Sequence, residues 1–474
     1  MSEQSWLKEL NAVVKPEQIV TSGEDIKSHS YDVWPVAAKW KGQGKQPYKP
    51  EAVVYAYSAQ DVSDVLKWAT ANRVPVTPWG LGSGVTGAAI PARGGISLDV
   101  SGMKQVLALD ETNLMVKVQG GKLGLALENE LNERGYTLNH SPQSLDRSSV
   151  AGWVATRAIG QFSSRYGGIE DLTVAFTVVL PTGEIVETKF APRAAIGPDL
   201  RHVFMGSEGT MGVITDVTLK IFPLAEHRLF EAVKFDSVAA GAAVMRQFMQ
   251  VGLRPFLVRF YDVDEAKHAM QDQSFDRCVM FLGFEGLKAV AEAEYKAVMD
   301  LCLAEGGQKI GPAAVEAWMR RRFDFSAVEN LLAEPGGLAE TIEIAHFWDG
   351  IMETYYKLKE ALAPYADEVL GHFSHVYPQG TSLYVILLGH AKDDATAEAN
   401  ILKIWETAMN ICLETGAAIS HHHGVGLARE PYIRADLASS ALVLDKVKAA
   451  IDPAGVMNPG KLGLNRTSTE VLQR

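Results

Sequence analysis

The chain of 474 residues predicts an α+β fold in two parts. Three observations carry that prediction. The first half runs through short strands and helices without a regular doubly wound repeat. Beyond Arg228 the units lengthen into strand, helix and strand. A glycine-rich loop follows one early strand and leads into another strand, not into a helix.

Composition sets the outer bounds. At 47% hydrophobic and 22% charged residues the chain is globular, and its length supports two or three full cores. A formal net charge of −12 argues against a nucleic-acid partner. No apolar run approaches the roughly 18 to 20 residues that a bilayer span requires, which leaves only a peripheral membrane contact open. The start Met1-Ser2-Glu3-Gln4-Ser5-Trp6 lacks a basic region and an apolar core, and Val471, Leu472, Gln473 and Arg474 carry no receptor-read address. A cytoplasmic location is therefore expected. Cys278, Cys302 and Cys412 are odd in number, lack zinc-like spacing and read as small core residues.

Each element has its own signal. Val53, Val54, Tyr55, Ala56 and Tyr57 form a strand, and over 58–72 Val62, Val65, Leu66 and Ala69 share one helical face. Val74, Pro75, Val76 and Thr77 deliver the chain into Pro78-Trp79-Gly80-Leu81-Gly82-Ser83-Gly84-Val85-Thr86-Gly87. Glycines at this spacing can form a concave nest of backbone N–H groups that suits a pyrophosphate. A strand at 95–100 follows, so loop backbone alone must grip the phosphates. That excludes the P-loop and the Gly-x-Gly-x-x-Gly fingerprint, each of which opens a helix; a plain tight turn is the alternative. A strand at 114–118, a helix over about 123–133 stopped by Gly135 and a hairpin at 177–186 complete a sheet-rich domain. It ends near Ile221, Phe222 and Pro223.

In the second half a strand at 232–235, a helix over 239–249 and a strand at 256–260 form one unit. Strand 278–284 leads to a helix over 287–303, and strand 382–388 to a helix over 396–414. Such units build one antiparallel sheet with helices on one face, a ferredoxin-like plan that makes a natural cap. Glu334-Pro335-Gly336-Gly337 reads as a loop.

Several polar residues stand out against this background. His421, His422 and His423 follow strand-like Ala417-Ala418-Ile419-Ser420. If the strand continues, His421 and His423 face one way and His422 the other, which argues against convergence on one metal ion. Acid–base work is the better use of imidazole, whose unperturbed pKa is about 6.5. Tyr384 is either a core tyrosine or a proton carrier, and as a base it would need a positive neighbour. Arg259, set between Val258 and Phe260, holds either an anion or a structural salt bridge. His140 is a turn residue or a pocket wall. His372 and His375 resemble a metal pair in spacing, yet on a strand they would point to opposite faces.

Taken together, these segments resemble the flavoprotein family of vanillyl-alcohol oxidase and p-cresol methylhydroxylase, from about Glu51 to Leu464. The resemblance implies a two-part FAD-binding domain of the p-cresol methylhydroxylase type with a ferredoxin-like antiparallel-sheet cap. The expected division is 1–225 for the FAD domain, 226–429 for the cap and 430–474 for a segment returning to the FAD domain. It implies a pyrophosphate loop at Trp79, Gly80, Leu81, Gly82, Ser83, Gly84 and Val85. Further FAD contacts fall on Gln143, Ser144, Leu145, Asp146, Arg147, Ser148 and Ser149, and on Thr156, Arg157, Ala158 and Ile159. Another set falls on Glu208, Gly209, Thr210, Met211, Gly212, Val213 and Ile214. With Ser83 at the centre of the loop and no histidine there, FAD is expected to be noncovalent.

The branch with the nearest motifs is similar to alkyldihydroxyacetonephosphate synthase, through 197–210 and Ser420-His421-His422-His423-Gly424-Val425-Gly426. That likeness implies Tyr384 as the proton-transferring group, supported by His421, His422 and His423, with Arg259, His140 and Ser207 lining the site. A departure lies at Ala327-Val328-Glu329-Asn330, where a carboxylate stands in place of an expected anion anchor; Arg320, Arg321 or Arg322 could compensate. Resemblance to the neighbouring branch, which oxidises D-2-hydroxy acids with a metal held by two histidines and a glutamate, fails at that site: His422 stands where the glutamate is expected, and the glycine-aspartate-glycine histidine motif is absent, which weakens a metal-dependent hydroxy-acid mechanism. The expectation is thus an FAD-dependent oxidoreductase that oxidises a small, anionic hydroxy acid or an alcohol by hydride transfer to flavin N5. The alternatives are an ether-lipid transferase without net oxidation and, last, a noncatalytic flavin-binding protein. A homodimer is expected; the electron acceptor is left open.

Overall fold

A computed structural model describes residues 3–464. Met1, Ser2, Val471, Leu472, Gln473 and Arg474 lie outside the described residues. Ser58 caps the helix Ala59–Asn72 by accepting from the Asp61 amide, and Val62, Val65, Leu66 and Ala69 are fully buried, as their periodicity predicts. Ser63 and Thr70 of the same helix donate to the Gly183 and Pro181 carbonyls, docking it on the hairpin of Thr173–Val179 and Ile185–Glu187.

Two sheets make the first part. Ile19–Val20, Ala52–Tyr55, Ile96–Asp99 and Val76–Trp79 lie side by side in that order, the last three parallel. Val106–Asp110, Met115–Gln119, Val213–Lys220, Thr173–Val179 and Ile185–Glu187 form an antiparallel sheet of five. Residues near the far end of the chain return to the first sheet. The Val76 amide donates to the Val456 carbonyl, the Asn458 amide donates to the Val76 carbonyl, and the buried Lys461 donates to Ile90 O.

The second part is one antiparallel sheet of seven strands, in the order Gln308–Gly311, His227–Phe235, Cys278–Gly286, Leu257–Tyr261, Glu368–Val376, Gly380–His390 and Gly337–Phe347. Alternation divides its side chains. Val258, Phe260, Phe373, Leu383 and Val385 join the core that also contains Val244, Val298, Leu358 and Ile404 of the four long helices. Leu257, Tyr261, Val279 and Phe281 pack on the other face with Ala266, Trp318 and Phe162. The long helices thus take one face, and the shorter Val263–Met270 and Ala313–Arg321 lie on the opposite one beside Phe162 of the first part. That second face carries the site.

Candidate active site

Strand register assembles the site. Tyr261 pairs with His372, His372 with Tyr384, and Tyr384 with Glu343, so four neighbouring strands place these side chains at one level of one face. His372 stacks on Tyr384 with centroids 4.4 Å apart and planes 15° off parallel. His375 joins the same cluster, contrary to the expectation that it would face away from His372. The ladder shifts register between Ser374 and Val376, and His375 has φ +52°, so a β-bulge turns it back. It stacks on His421 at 5.3 Å, and its Nδ1 bonds Ser163 Oγ at 2.8 Å.

The histidine run also departs from its predicted alternation. After the Ala345–Ala418 bridge the chain bends. The reason is Glu343, which is fully buried and accepts from the amides of His421 (2.7 Å), His422 (3.1 Å) and His423 (2.9 Å) and from Ser420 Oγ (2.9 Å). Three amides aimed at one carboxylate cannot belong to an extended strand, and the bend gathers all three imidazoles. His421 and His422 centroids are 5.1 Å apart, and those of His422 and His423 are 4.6 Å apart. Arg429, also fully buried, donates to Glu343 Oε1 at 2.9 Å and to the carbonyls of Ile419, Gly424 and Glu343. Burial pushes the Glu343 carboxyl up, but Arg429, the imidazoles and the amides outweigh it and hold the group below its usual range.

Glu343 also sets a carboxylate beside the histidines. Glu343, His421 and His422 each offer a ligand atom within 4.8 Å of the others. Those atoms are already committed. Both carboxylate oxygens accept protein donors, and the Nδ1 atoms of His421 and His422 bond each other at 2.8 Å.

Tyr384 Oη lies 2.5 Å from His422 Nε2. Burial drives the Tyr384 phenol well above its usual range and His422 well below the imidazole range, and it takes His421 and His423 down to about 4. At neutral pH these groups are a neutral phenol and neutral imidazoles. The imidazolium that a resting phenolate would need is absent from the described cluster. A phenolate is therefore not the resting form of Tyr384.

Arg259 sits one step along the strand from Tyr261. It donates Nε to Tyr261 Oη at 2.8 Å and Nη2 to His372 Nε2 at 3.0 Å, and its guanidinium lies 5.0 Å from the Trp318 ring. A guanidinium only donates, so His372 Nε2 accepts, and the ring proton is on Nδ1, directed at Glu265 Oε1 2.7 Å away. His372 is thus fixed in one tautomer. Burial acts against the charged Arg259, yet Tyr261 and Glu265 raise its pKa, and Nη1 takes no part in these bonds.

The glycine loop has the features of a phosphate cradle. Among the described residues, the amides of Leu81, Gly82, Ser83 and Gly84 donate to no backbone carbonyl, whereas the Gly84 carbonyl accepts from Val33. Gly82 has φ +63°, and a Cβ there would clash with the Trp79 ring at Cζ2. Buried polar atoms nearby await partners: Ser149 Oγ, which a Cβ on Gly80 would strike, and Asp32 Oδ2, 3.3 Å from where a Cβ on Gly84 would stand. Asp32 is pushed up to about 7 by burial. Both nitrogens of His140 and Ser141 Oγ also lack protein partners. A diphosphate and a polar ring system between these groups fit the donor set.

The other residues expected to touch FAD have varied partners of their own. Ser148 bonds Trp153 Nε1, Leu145 is core, and Gln143 and Ser144 lie in the loop before the helix Val150–Thr156. Asp146 is spent on Arg147, and Arg147 also pairs with Glu329 at 2.5 Å. The cation beside Glu329 is therefore Arg147; Arg321 and Arg322 instead donate to the carbonyls of Ala269 and Met319. Arg157 pairs with Glu170, and Ala158 and Ile159 follow it. Glu208 accepts from the Val425 and Gly426 amides, and Asn458 donates to its carbonyl, so the segment with Gly209, Thr210, Met211, Gly212, Val213 and Ile214 clamps the end of the histidine run. His140 lies 4.7 Å from the Trp153 ring and is pushed down to about 3 by burial. Ser207, also buried, accepts Thr210 Oγ1 at its carbonyl.

Sequence reasoning missed Glu343, Arg429, Glu265 and Tyr377. Glu343 had a usable signal, one of two acids among the mostly apolar residues of Gly337–Phe347, three positions from Glu340 and so on the opposite face; Glu340 instead meets Trp405 Nε1.

The family described as "FAD binding domain" matches residues 50–189, and "FAD linked oxidases, C-terminal domain" matches residues 224–462. The chain is 31% identical over 480 residues to the uncharacterized FAD-linked oxidoreductase YgcU of Escherichia coli (strain K12), covering 98% of this chain and 99% of that one. It is 27% identical to alkyldihydroxyacetonephosphate synthase of Dictyostelium discoideum (88% of this chain, 74% of that one) and 26% identical to D-lactate dehydrogenase of Anaerostipes hadrus (95% of each). The solved structure of p-cresol methylhydroxylase with substrate bound matches with a TM-score of 0.82 at 16% identity, over 98% of this chain and 97% of that one. The chain therefore belongs to the FAD-linked oxidases, built on the p-cresol methylhydroxylase plan, and is an FAD enzyme.

Proposed function

We propose that this enzyme oxidises a small hydroxy acid, or a related alcohol, with the hydroxyl proton leaving through Tyr384. The observation that carries this reading is the 2.5 Å contact of Tyr384 Oη with His422 Nε2, one row of the sheet away from Arg259. FAD, when bound, supplies the two-electron acceptor for the hydride. Arg259 holds the substrate carboxylate through Nη1, with its other donors fixed by Tyr261 and His372. Tyr384 accepts the substrate proton as it passes its own to His422, so no isolated phenolate is required. Glu343 and Arg429 keep the imidazoles in place. The cofactor is held noncovalently by the loop at 79–85, with His140 as a buried partner for it. The division into 1–225, 226–429 and 430–474 belongs to this reading.

Likeness to D-lactate dehydrogenase over 95% of the chain supports a hydroxy-acid substrate. Likeness to alkyldihydroxyacetonephosphate synthases favours a second reading, a transferase without net oxidation. The two separate in one experiment. Anaerobic addition of a panel of D-2-hydroxy acids to the FAD-loaded enzyme bleaches the flavin under the first reading. Chain exchange on an acyl dihydroxyacetone phosphate, with no bleaching by any panel member, would establish the second.

A further inference from the structure

The site contains more proton-carrying groups than one acid–base pair needs, and they form an unbroken line. Tyr384 Oη bonds His422 Nε2 at 2.5 Å, His422 Nδ1 bonds His421 Nδ1 at 2.8 Å, and His421 Nε2 bonds Tyr377 Oη at 2.8 Å. Each imidazole is entered at one nitrogen and left at the other. Tyr377 is half-buried at the turn between Glu368–Val376 and Gly380–His390, whereas Tyr384 lies within the sheet. Glu170, Asp171 and Arg157 of the first part are the charged groups acting on Tyr377. Glu170 pairs with the half-exposed Arg157 through Oε1, and its Oε2 is buried without a partner.

We propose that Tyr384, His422, His421 and Tyr377 form a proton wire whose outlet is Tyr377 at the Glu170–Arg157 edge. The inference rests on the reading above that Tyr384 receives the substrate proton. Hydrogen-bonding rules allow the neutral chain only two arrangements. In one, Tyr384 donates to His422 Nε2, His422 Nδ1–H donates to His421 Nδ1, and His421 Nε2–H donates to Tyr377 Oη. In the other, every donor and acceptor is exchanged. Moving one proton across each link converts the first into the second. Tyr384 gives its proton to His422 and gains the one from the substrate hydroxyl. His422 gives its Nδ1 proton to His421, His421 gives its Nε2 proton to Tyr377, and Tyr377 releases its own toward Glu170. One proton enters, one leaves, no group keeps a net charge, and the two electrons depart with the hydride to FAD.

Neutral imidazoles are what such a wire requires. The charged groups facing them are Glu343 and Arg429 beneath the bend, Arg259 beyond His372, and Arg157 at the outlet. His375 stacks on His421 without entering the line, and Ser163 occupies its Nδ1. His423 lies beside Glu343, with its Nδ1 unpartnered, and is a side branch.

Two measurements on FAD-loaded protein test the wire with Tyr377→Phe, which keeps the ring and leaves the Trp348 bond to the Tyr377 carbonyl intact. In stopped flow with a pH indicator, using a hydroxy acid that bleaches the parent, proton release from the parent keeps pace with bleaching. In the variant it lags by about 10-fold or more, because one relay step of general acid–base type is gone. Release that keeps pace in the variant overturns the wire. The second measurement needs no substrate, so it stands if the hydroxy-acid reading fails: nitrogen-15 spectra of the labelled histidines at pH 7. The wire requires His421 and His422 to be neutral and in opposite tautomers, and it requires Tyr377→Phe to shift His422 as well as His421. Equal tautomers, an imidazolium, a metal bound at the Nδ1 atoms, or a perturbation that stops at His421 would each overturn it.

Discussion

Glu343→Gln is the most informative single change in the site. The substitution preserves shape and one carbonyl oxygen, but replaces an oxygen that accepts backbone N–H groups with an NH₂ that can only donate. Arg429, fully buried, then loses its charged partner and keeps only the carbonyls of Ile419, Gly424 and residue 343. Breaking one side of a buried ion pair costs about 3–5 kcal/mol, and the three remaining carbonyls place this case near the lower end, about 3 kcal/mol. For a unit of 150–250 residues each kcal/mol moves the unfolding midpoint by roughly 2–4 °C, so a drop of about 6 °C or more is expected by calorimetry. The same change frees the bend at 421–423, and a misplaced His422 should slow flavin reduction by about 10²-fold. A variant that melts within about 1 °C of the parent and reduces flavin at the parental rate would refute the claim that Glu343 organises the run.

Other consequences can be checked alongside. Tyr384→Phe should slow anaerobic flavin reduction by at least about 10²-fold while leaving the bound-flavin spectrum unchanged; parental rates would remove Tyr384 from proton transfer. Gly82→Ala should yield protein with little FAD after purification, because the backbone there has φ +63° and the new Cβ meets Trp79; a full complement of FAD would disprove the cradle. His140, His421 and His423 are depressed to about 3, 4 and 4 in the fold, against about 6.5 unfolded. The unfolded chain thus binds more protons across that interval, so stability present above about pH 6.5 is lost as pH falls toward 4. Buried carboxyls with raised pKa, Asp32 and Glu340, act with the opposite sign over the same interval, so the check is made residue by residue: a nitrogen-15 titration in which any of the three imidazoles gains its proton between about pH 7 and pH 5 would contradict their burial as neutral rings.

Much of the fold was legible because periodicity reports burial directly. The helix Ala59–Asn72 and the strands of the cap announce themselves by which residues avoid water. The glycine loop and the histidine run were visible as composition. Their conformations were not. His375 turns inward because of a bulge, and 421–423 bend because Glu343, some eighty positions earlier, accepts their amides. Pairing across strands decides both, and no local pattern encodes which strands will be neighbours. Tyr377 and Glu265 became visible as partners only once that pairing was known.

The row formed by Tyr261, His372, Tyr384 and Glu343 has a consequence for how this scaffold can diversify. Strands repeat at about 4.8 Å, so backbone pairing alone rules the spacing between these groups, and no neighbouring side chain can easily stretch it. The segments facing the row, among them Ala313–Arg321, are tied to it by no such ladder. Variation there can reshape what enters while the ruler underneath stays fixed, which suits a scaffold that serves several chemistries.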